Sequence, residues 1–254
     1  MPQGSARADA NRSLLQGGLL FLLGFLVLTV VVTQQQFVGA DLAARSLVHQ
    51  SHHPMLMGFM EGASFVGGQP GQVAVVLVAF VVLWPRRRRW ALALPVVVAG
   101  AGAVQFMAKW AVDRPRPNLD SWGFPSAHVL SLVVLCGYLT YVASLGSARR
   151  GRRRLAVGTC VAIVGTVAYS RMYLDAHFLS DVLGGLTAGF AYLCAAIWAT
   201  RSAPRLGRAR RATPLASGAE GLLVPAPAGS VAEPLVATVA VAAMTPATPG
   251  LDAR

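Results

Sequence analysis

The sequence predicts an all-α, polytopic membrane protein with six transmembrane helices in one bundle. Three observations carry the prediction. Of the 254 residues, 55% are hydrophobic and only 13% charged, about half the charged share of roughly 25% typical of soluble domains. The apolar residues arrive in blocks of about twenty, the length of helix that crosses a bilayer core. Arginine clusters punctuate alternate blocks, which is how orientation is written into a membrane chain.

The first block, Leu14 to Val32, follows a polar start with Arg7 and Arg12. It exceeds the apolar core of about 7 to 15 residues in a signal peptide, so it is read as a retained span. Val38-Gly39-Ala40 imitates a small-residue cleavage site, but removal of the block would leave the downstream topology unchanged. Thr33 to Pro54 is too polar to span, and Asp41 to Arg45 within it suits a membrane interface. Apolar character resumes from Met55 to Trp84, interrupted at Gly67 to Gly71. One bent second span is expected there, because each half alone is short for a crossing. The third span is Trp90 to Val112, the fourth Ser126 to Leu145, the fifth Leu155 to Ser170 and the sixth Phe178 to Thr200. Three regions follow: a cytoplasmic N-terminal segment 1–13, a six-span domain 14–200, and a basic then disordered cytoplasmic tail 201–254. In that tail only Leu235 to Met244 is locally apolar, and ten residues cannot span.

The N-terminal segment, Arg86 to Arg89, Arg149 to Arg154 and Arg201 to Arg211 hold sixteen basic residues, against five on the opposite connections: Arg45, Lys109, Arg114, Arg116 and Arg171. The positive-inside rule then predicts a multi-pass protein of the cell membrane with both termini cytoplasmic. The net charge of +12 is explained by topology, with anionic membrane lipids as added partners, and no nucleic-acid partner follows. Cys136, Cys160 and Cys194 lie in different apolar blocks, a pattern that predicts neither a disulfide framework nor a zinc site. Oligomeric state is not written in the sequence.

Ionisable groups beside spans are costly and need an escape or a task. On the side opposite the arginine clusters they gather at three span ends. Lys109 ends the third span, and Pro115 and Pro117 place Arg116 on the loop after it. A point charge and a planar fork together suit a phosphate. Ser126 stands where the fourth span begins, positioned to cap it, and helix N-termini attract anions. His128 lies in that first turn, able to give a proton to a departing alkoxide. His177 and Asp181, four apart, are expected on one face of the sixth span's first turn. The carboxylate would fix one ring nitrogen and leave the other as nucleophile. Arg171 is expected across the turn, supplying charge to a phosphorane-like transition state.

These spacings resemble the type 2 phosphatidic acid phosphatase superfamily, whose signatures are K-x6-R-P, P-S-G-H and S-R-x5-H-x3-D. The sequence carries Lys109-x6-Arg116-Pro117, Pro125-Ser126-Ala127-His128 and Ser170-Arg171-x5-His177-x3-Asp181. Only Ala127 departs, standing where the family has glycine. The resemblance implies a six-span core reaching to about residue 200, with catalytic His177, Asp181 and His128. It further implies phosphate binding by Lys109, Arg116, Ser126, Ala127 and Arg171, a phosphohistidine intermediate, and neither metal nor other cofactor.

The expected activity is hydrolysis of a lipid phosphate or pyrophosphate (phosphatidic acid, phosphatidylglycerol phosphate or an isoprenoid pyrophosphate) at the extracytoplasmic face. The sequence does not separate these substrates. Alternatives are phosphotransfer to an alcohol acceptor, a soluble vanadium-haloperoxidase type, which six spans oppose, and a non-catalytic lipid-phosphate binder or transporter. His49, His52 and His53 lack partners at metal-ligand spacing, and Glu61 is expected to be a buried partner or a mark of a substrate path.

Overall fold

The computed structural model describes residues 2–145 and 150–203, with side chains from residue 9 onward. The tail expected to be disordered, the last arginine cluster beyond Arg201, and Arg149 lie outside the described residues. Seven helices account for nearly all of the rest: α1 (Pro2–Thr33), α2 (Val38–His49), α3 (Pro54–Gly67), α4 (Gln69–Val112), α5 (Ala127–Ser144), α6 (Arg150–Tyr173) and α7 (Leu179–Ser202). Helix α1 begins at Pro2, so the polar N-terminal segment continues the first span as helix.

Five of these helices are long and apolar enough to cross a membrane. One of them, α4, has 44 residues, about twice a bilayer core at roughly 1.5 Å per residue. It breaks at Arg87, whose backbone leaves helical geometry (φ −141°, ψ 43°) two residues after Pro85, where the proline ring blocks a continuous helix. Gln72, near its start, and Gln105, near its end, line one cavity, so the two arms return to the same end of the bundle. With those arms counted separately, six segments can cross.

The expected bend at Gly67 to Gly71 is a break between two helices. Gly68 is extended (ψ −178°) and serves as the C-cap of α3 and the N-cap of α4. A Cβ on Gly71 would lie 2.0 Å from the Val66 carbonyl oxygen, so only glycine permits the tight junction. The second crossing segment therefore begins at Gln69, and its 18 residues to Arg86 reach about 27 Å. The interfacial pattern at Asp41 to Arg45 lies in α2.

The core forms where α4, α5 and α7 meet. Trp90, Leu94, Val97 and Ala101 follow the spacing of one helix face and are buried against Leu130, Val134 and Tyr138 of α5 and Ala188, Leu193 and Ile197 of α7. The other face of the same arm is apolar too, with Val96 70% and Met107 61% exposed. Apolar on both faces, such a helix is suited to lipid rather than water. Small residues allow α7 to approach α5, as expected where lipid replaces water as solvent.

The bundle has two chemically distinct ends. Arg89 donates to the carbonyl of Thr200 near the end of α7. Trp90 packs on Tyr138 and Tyr141 near the end of α5. Gly18 in α1 lies by Cys194 of α7. The basic residues therefore meet at one end, and the residues singled out for phosphate chemistry occupy the other.

Candidate active site

Helix α4 stops because Asp113 turns left-handed (φ 39°, ψ 50°) and the prolines that follow cannot continue it. Lys109 sits in its last turn, buried, with Nζ donating to the Trp122 carbonyl. The connecting loop closes on itself through the Gly123 amide donating to the Arg114 carbonyl (2.6 Å) and the Arg116 amide donating to Asp120 (2.7 Å). Phe124 anchors the loop's end, fully buried and stacked on Phe25 at 5.7 Å. The Ser126 amide then donates to the Asp181 carbonyl (2.9 Å), which ties the start of α5 to the start of α7.

The turn between α6 and α7 is built on Arg171. Its carbonyl accepts the amides of Ala176 (3.0 Å) and His177 (3.1 Å). His177 precedes α7, whose N-cap is Phe178, so the expectation that it shares a helical face with Asp181 is corrected. The pair still meets through the cap. Asp181, at the third helical position, accepts the Phe178 amide on Oδ2 (2.9 Å), and the same oxygen lies 3.4 Å from His177 Nδ1, the long end of a hydrogen bond. His177 is 3% and Asp181 0% exposed. Burial drives the imidazole below its ordinary value. Asp181 opposes the shift by hydrogen bond and charge without reversing it, and Lys109 and Arg171 add to it. A neutral ring with Nδ1 against a carboxylate leaves Nε2 as the free nucleophilic nitrogen.

Among the described residues, four buried side-chain atoms have no hydrogen-bond partner: Ser126 Oγ, Arg116 Nε, Arg171 Nε and Asn11 Oδ1. Three of the four belong to residues expected to bind phosphate. Ser126 is the N-cap of α5 by position, but its hydroxyl makes no capping bond, contrary to expectation. Arg171 uses Nη1 on Ser64 of α3, and Arg116 is 4.0 Å from Asp120. Buried donors without acceptors cost free energy, so each needs an explanation.

Arg116, Ala127 and His128 line a cavity of about 830 Å³ with Glu61, Gln72 and Gln105. Glu61 is exposed and lines this cavity rather than serving as a buried partner. Lys109, His177 and Asp181 are not among the cavity's lining residues. The three histidines at and after the end of α2 are engaged structurally. His49 Nε2 lies 3.0 Å from both Asp175 oxygens, His52 Nε2 is 2.8 Å from the Tyr173 carbonyl, and His53 Nδ1 accepts the Met55 amide. Among the described residues no group of His, Cys, Asp and Glu is gathered as a metal centre would require, and all three cysteines are free thiols.

Two residues that the sequence placed only in an interface pattern and a charge count adjoin the site. Arg114 donates Nη1 to Asp181 Oδ1 (2.9 Å) and Nη2 to Asp41 Oδ2 (2.7 Å). Asp41, buried in α2, also accepts the amide (2.8 Å) and hydroxyl (2.6 Å) of Ser180. The available signal was the cost of ionisable groups at membrane depth, which demands partners. A separation of 73 residues hid which partners those were.

Known proteins resemble the chain in sequence and in fold. Residues 90–205 match the PAP2 superfamily. Phosphatidylglycerophosphatase B of Bacillus subtilis is 25% identical over 182 residues, covering 67% of this chain and 87% of that protein. Lipid phosphate phosphatase delta of Arabidopsis thaliana is 26% identical over 187 residues, covering 66% of this chain and 43% of the relative. A crystal structure of a transmembrane PAP2 type phosphatidylglycerolphosphate phosphatase from Bacillus subtilis superposes with a TM-score of 0.68 at 21% identity, covering 75% of this chain and 98% of that one. Aquifex aeolicus LpxE superposes at 0.51 and 17% identity, covering 62% and 94%. Residues 90–205 are therefore similar to the PAP2 superfamily, and they lie within a bundle of membrane-crossing helices.

Proposed function

We propose that this protein is an integral membrane phosphatase that hydrolyses a lipid phosphate or pyrophosphate through a phosphohistidine on His177. The observation that carries the reading is the set of unpartnered buried polar atoms on Ser126, Arg116 and Arg171 beside a neutral, carboxylate-held imidazole. Three phosphoryl oxygens supply the acceptors those groups lack. The phosphatase names of the sequence relatives support the same reaction class.

The chemistry takes two displacements. In the first, His177 Nε2 forms a bond to phosphorus as the bond to the leaving oxygen breaks, and His128 transfers a proton to that oxygen. Asp181 faces Nδ1 and stabilises the positive charge that develops on the ring. In the second, His128 takes a proton from water, water oxygen bonds to phosphorus, and the nitrogen–phosphorus bond breaks to release phosphate. Lys109, Arg116 and Arg171 neutralise the charge on the transferring group, the largest contribution fixed dipoles and charges make to phosphoryl transfer. Ser126 and the first amides of α5, at Ala127 and His128, complete the cradle at a helix N-terminus. Ala127 is compatible with this because it is the first residue of a regular helix, where no glycine conformation is needed.

The lipid's apolar part enters laterally between helices while its head reaches the cations. Following the arginine distribution, the basic end lies in the cytoplasm with both termini and the active site opens outside. Phosphate release from a panel of lipid phosphates in detergent, with chelator present throughout, tests the reading. Release by the wild type and none by a folded, inserted His177→Ala variant is expected. Equal turnover by the two proteins would refute it, and labelled phosphoester formed with an added alcohol would make the enzyme a transferase.

A further inference from the structure

Arg114 and Asp41 take no part in that mechanism, yet they are its most deeply placed charged neighbours, 14% and 1% exposed. Their contacts form a closed network. Arg114 Nη1 donates to Asp181 Oδ1 and to the Ser180 hydroxyl, and Nη2 donates to Asp41 Oδ2. Asp41 Oδ1 takes the Ser180 amide, one of the α7 amides that has no intrahelical acceptor. The Arg114 guanidinium also lies 4.8 Å over the Phe178 ring.

This network divides the two oxygens of Asp181. Oδ1 is held by Arg114, and Oδ2 is left to the Phe178 amide and His177. A carboxylate fixed at both oxygens cannot rotate, so the one facing Nδ1 stays in place. A planar fork spanning two carboxylates does this where a single ammonium would not. Arg114 is also not among the residues lining the cavity of Arg116 and His128. With Asp41, Val112 and Phe178 it lines a separate hollow of about 400 Å³ that includes none of Arg116, Ser126, His128 or Arg171. Its position therefore gives it a route to the reaction through Asp181 and no direct contact with the phosphate cradle. Asp41 brings α2, which is too short to span, into the same network.

We propose that Arg114 and Asp41 are positioning residues that act on phosphoryl transfer only through Asp181, by fixing the carboxylate that orients His177. The proposal rests on the phosphatase reading above. The test is a double-mutant cycle on purified full-length protein in detergent, with phosphatidic acid in mixed micelles as substrate and inorganic phosphate as inhibitor. Arg114→Gln is expected to lower kcat about 10- to 100-fold, the range for outer partners that orient reactive side chains, with KM and the phosphate inhibition constant within about twofold. In the Asp181→Asn background the same substitution should change kcat by less than about twofold. Asp41→Asn should show the same silence there, with a smaller loss on its own.

An equal loss in both backgrounds would overturn the proposal, because Arg114 would then act independently of Asp181. Weaker phosphate inhibition would also overturn it, by making Arg114 a phosphate ligand. Should Arg114→Gln fail to fold, Arg114→Lys and Asp41→Asn carry the same cycle. The lysine variant keeps the charge but loses the fork, so full activity in it would count against the proposal. A wild type that releases no phosphate from any lipid phosphate would instead sink the phosphatase reading, and this inference with it.

Discussion

Gly185 packs α7 against the turn of α5 that carries the proposed phosphate ligands, which makes Gly185→Ala a quantitative test. A Cβ at this position would stand 2.7 Å from the Ser126 carbonyl oxygen, 3.1 Å from Val129 Cβ and 3.3 Å from the Leu130 amide nitrogen. Carbon–oxygen contacts of this kind settle at about 3.3 Å or more, so α5 and α7 must separate by roughly 0.5 Å. No rotamer relieves the contact, because every neighbour is backbone or Cβ in the first turn of α5, the turn that carries Ser126 and His128. A misplacement of about 1 Å costs on the order of a hundredfold in rate, and half of that displacement corresponds to about tenfold. Overpacking adds about 1 to 3 kcal/mol of destabilisation, offset by up to about 1 kcal/mol because alanine favours helix over glycine. The assay is phosphate release and thermal stability in one detergent, with Gly158→Ala as control, since a Cβ there meets nothing within 4 Å. Equal kcat in the two variants would refute the claim that close α5–α7 approach sets the phosphate cradle.

Three further outcomes follow from the site's electrostatics and contacts. Because burial holds His177 below its ordinary value, against the pull of Asp181, the proposed nucleophile stays neutral as pH falls through about 6.5. The acid limb of kcat/KM that belongs to His177 should lie below that pH. Asp181→Asn removes the group that raises the ring, so the limb should move lower still with the same substrate, and an upward move would contradict this assignment. Burial alone raises the Asp175 carboxyl, but hydrogen bonds from Arg45 and His49 outweigh it and hold the group below its usual value. The stability it contributes is therefore present above about pH 4 and lost as pH falls through the lower folded value. Asp175→Asn should cost no more than about 1 kcal/mol at pH 7, as expected for a partly exposed ion pair, and the Tm difference from wild type should close in acid; a constant difference would assign the effect to packing. Arg171→Ala should lower kcat/KM about 10²- to 10³-fold, as loss of a preorganised transition-state donor does. Arg171→Lys should recover only part of this, because a lysine cannot both reach Ser64 and present a second donor to phosphate.

The residues at span ends were legible because two simple rules fix them. Apolar block length places Lys109, Ser126 and Arg171 at boundaries, and the alternation of arginine clusters places those boundaries on one side. The structure brings these residues to one end of the bundle. What the sequence hides is local geometry. His177 lies just before α7 rather than on it, because the Phe178 cap and the Arg171 carbonyl shape the turn, and a four-residue spacing cannot distinguish the two arrangements. The Ser126 hydroxyl is free although its position is a cap. The break at Gly68 looks like a bend when only hydropathy is read, and the Asp41–Arg114 pairing joins a polar segment to a loop 73 residues away. Such contacts depend on tertiary approach, which periodicity does not encode.

The central claim is a covalent one, that phosphorus is transferred to His177 before water receives it. Rapid quenching of the enzyme with a ³²P-labelled lipid phosphate, followed by peptide mapping under alkaline conditions, reads it directly. The account predicts an acid-labile phosphoramidate on His177, formed and lost at rates compatible with turnover and missing in His177→Ala. Label on another residue, or full turnover with no labelled protein at any time point and inversion of configuration at phosphorus, would contradict it.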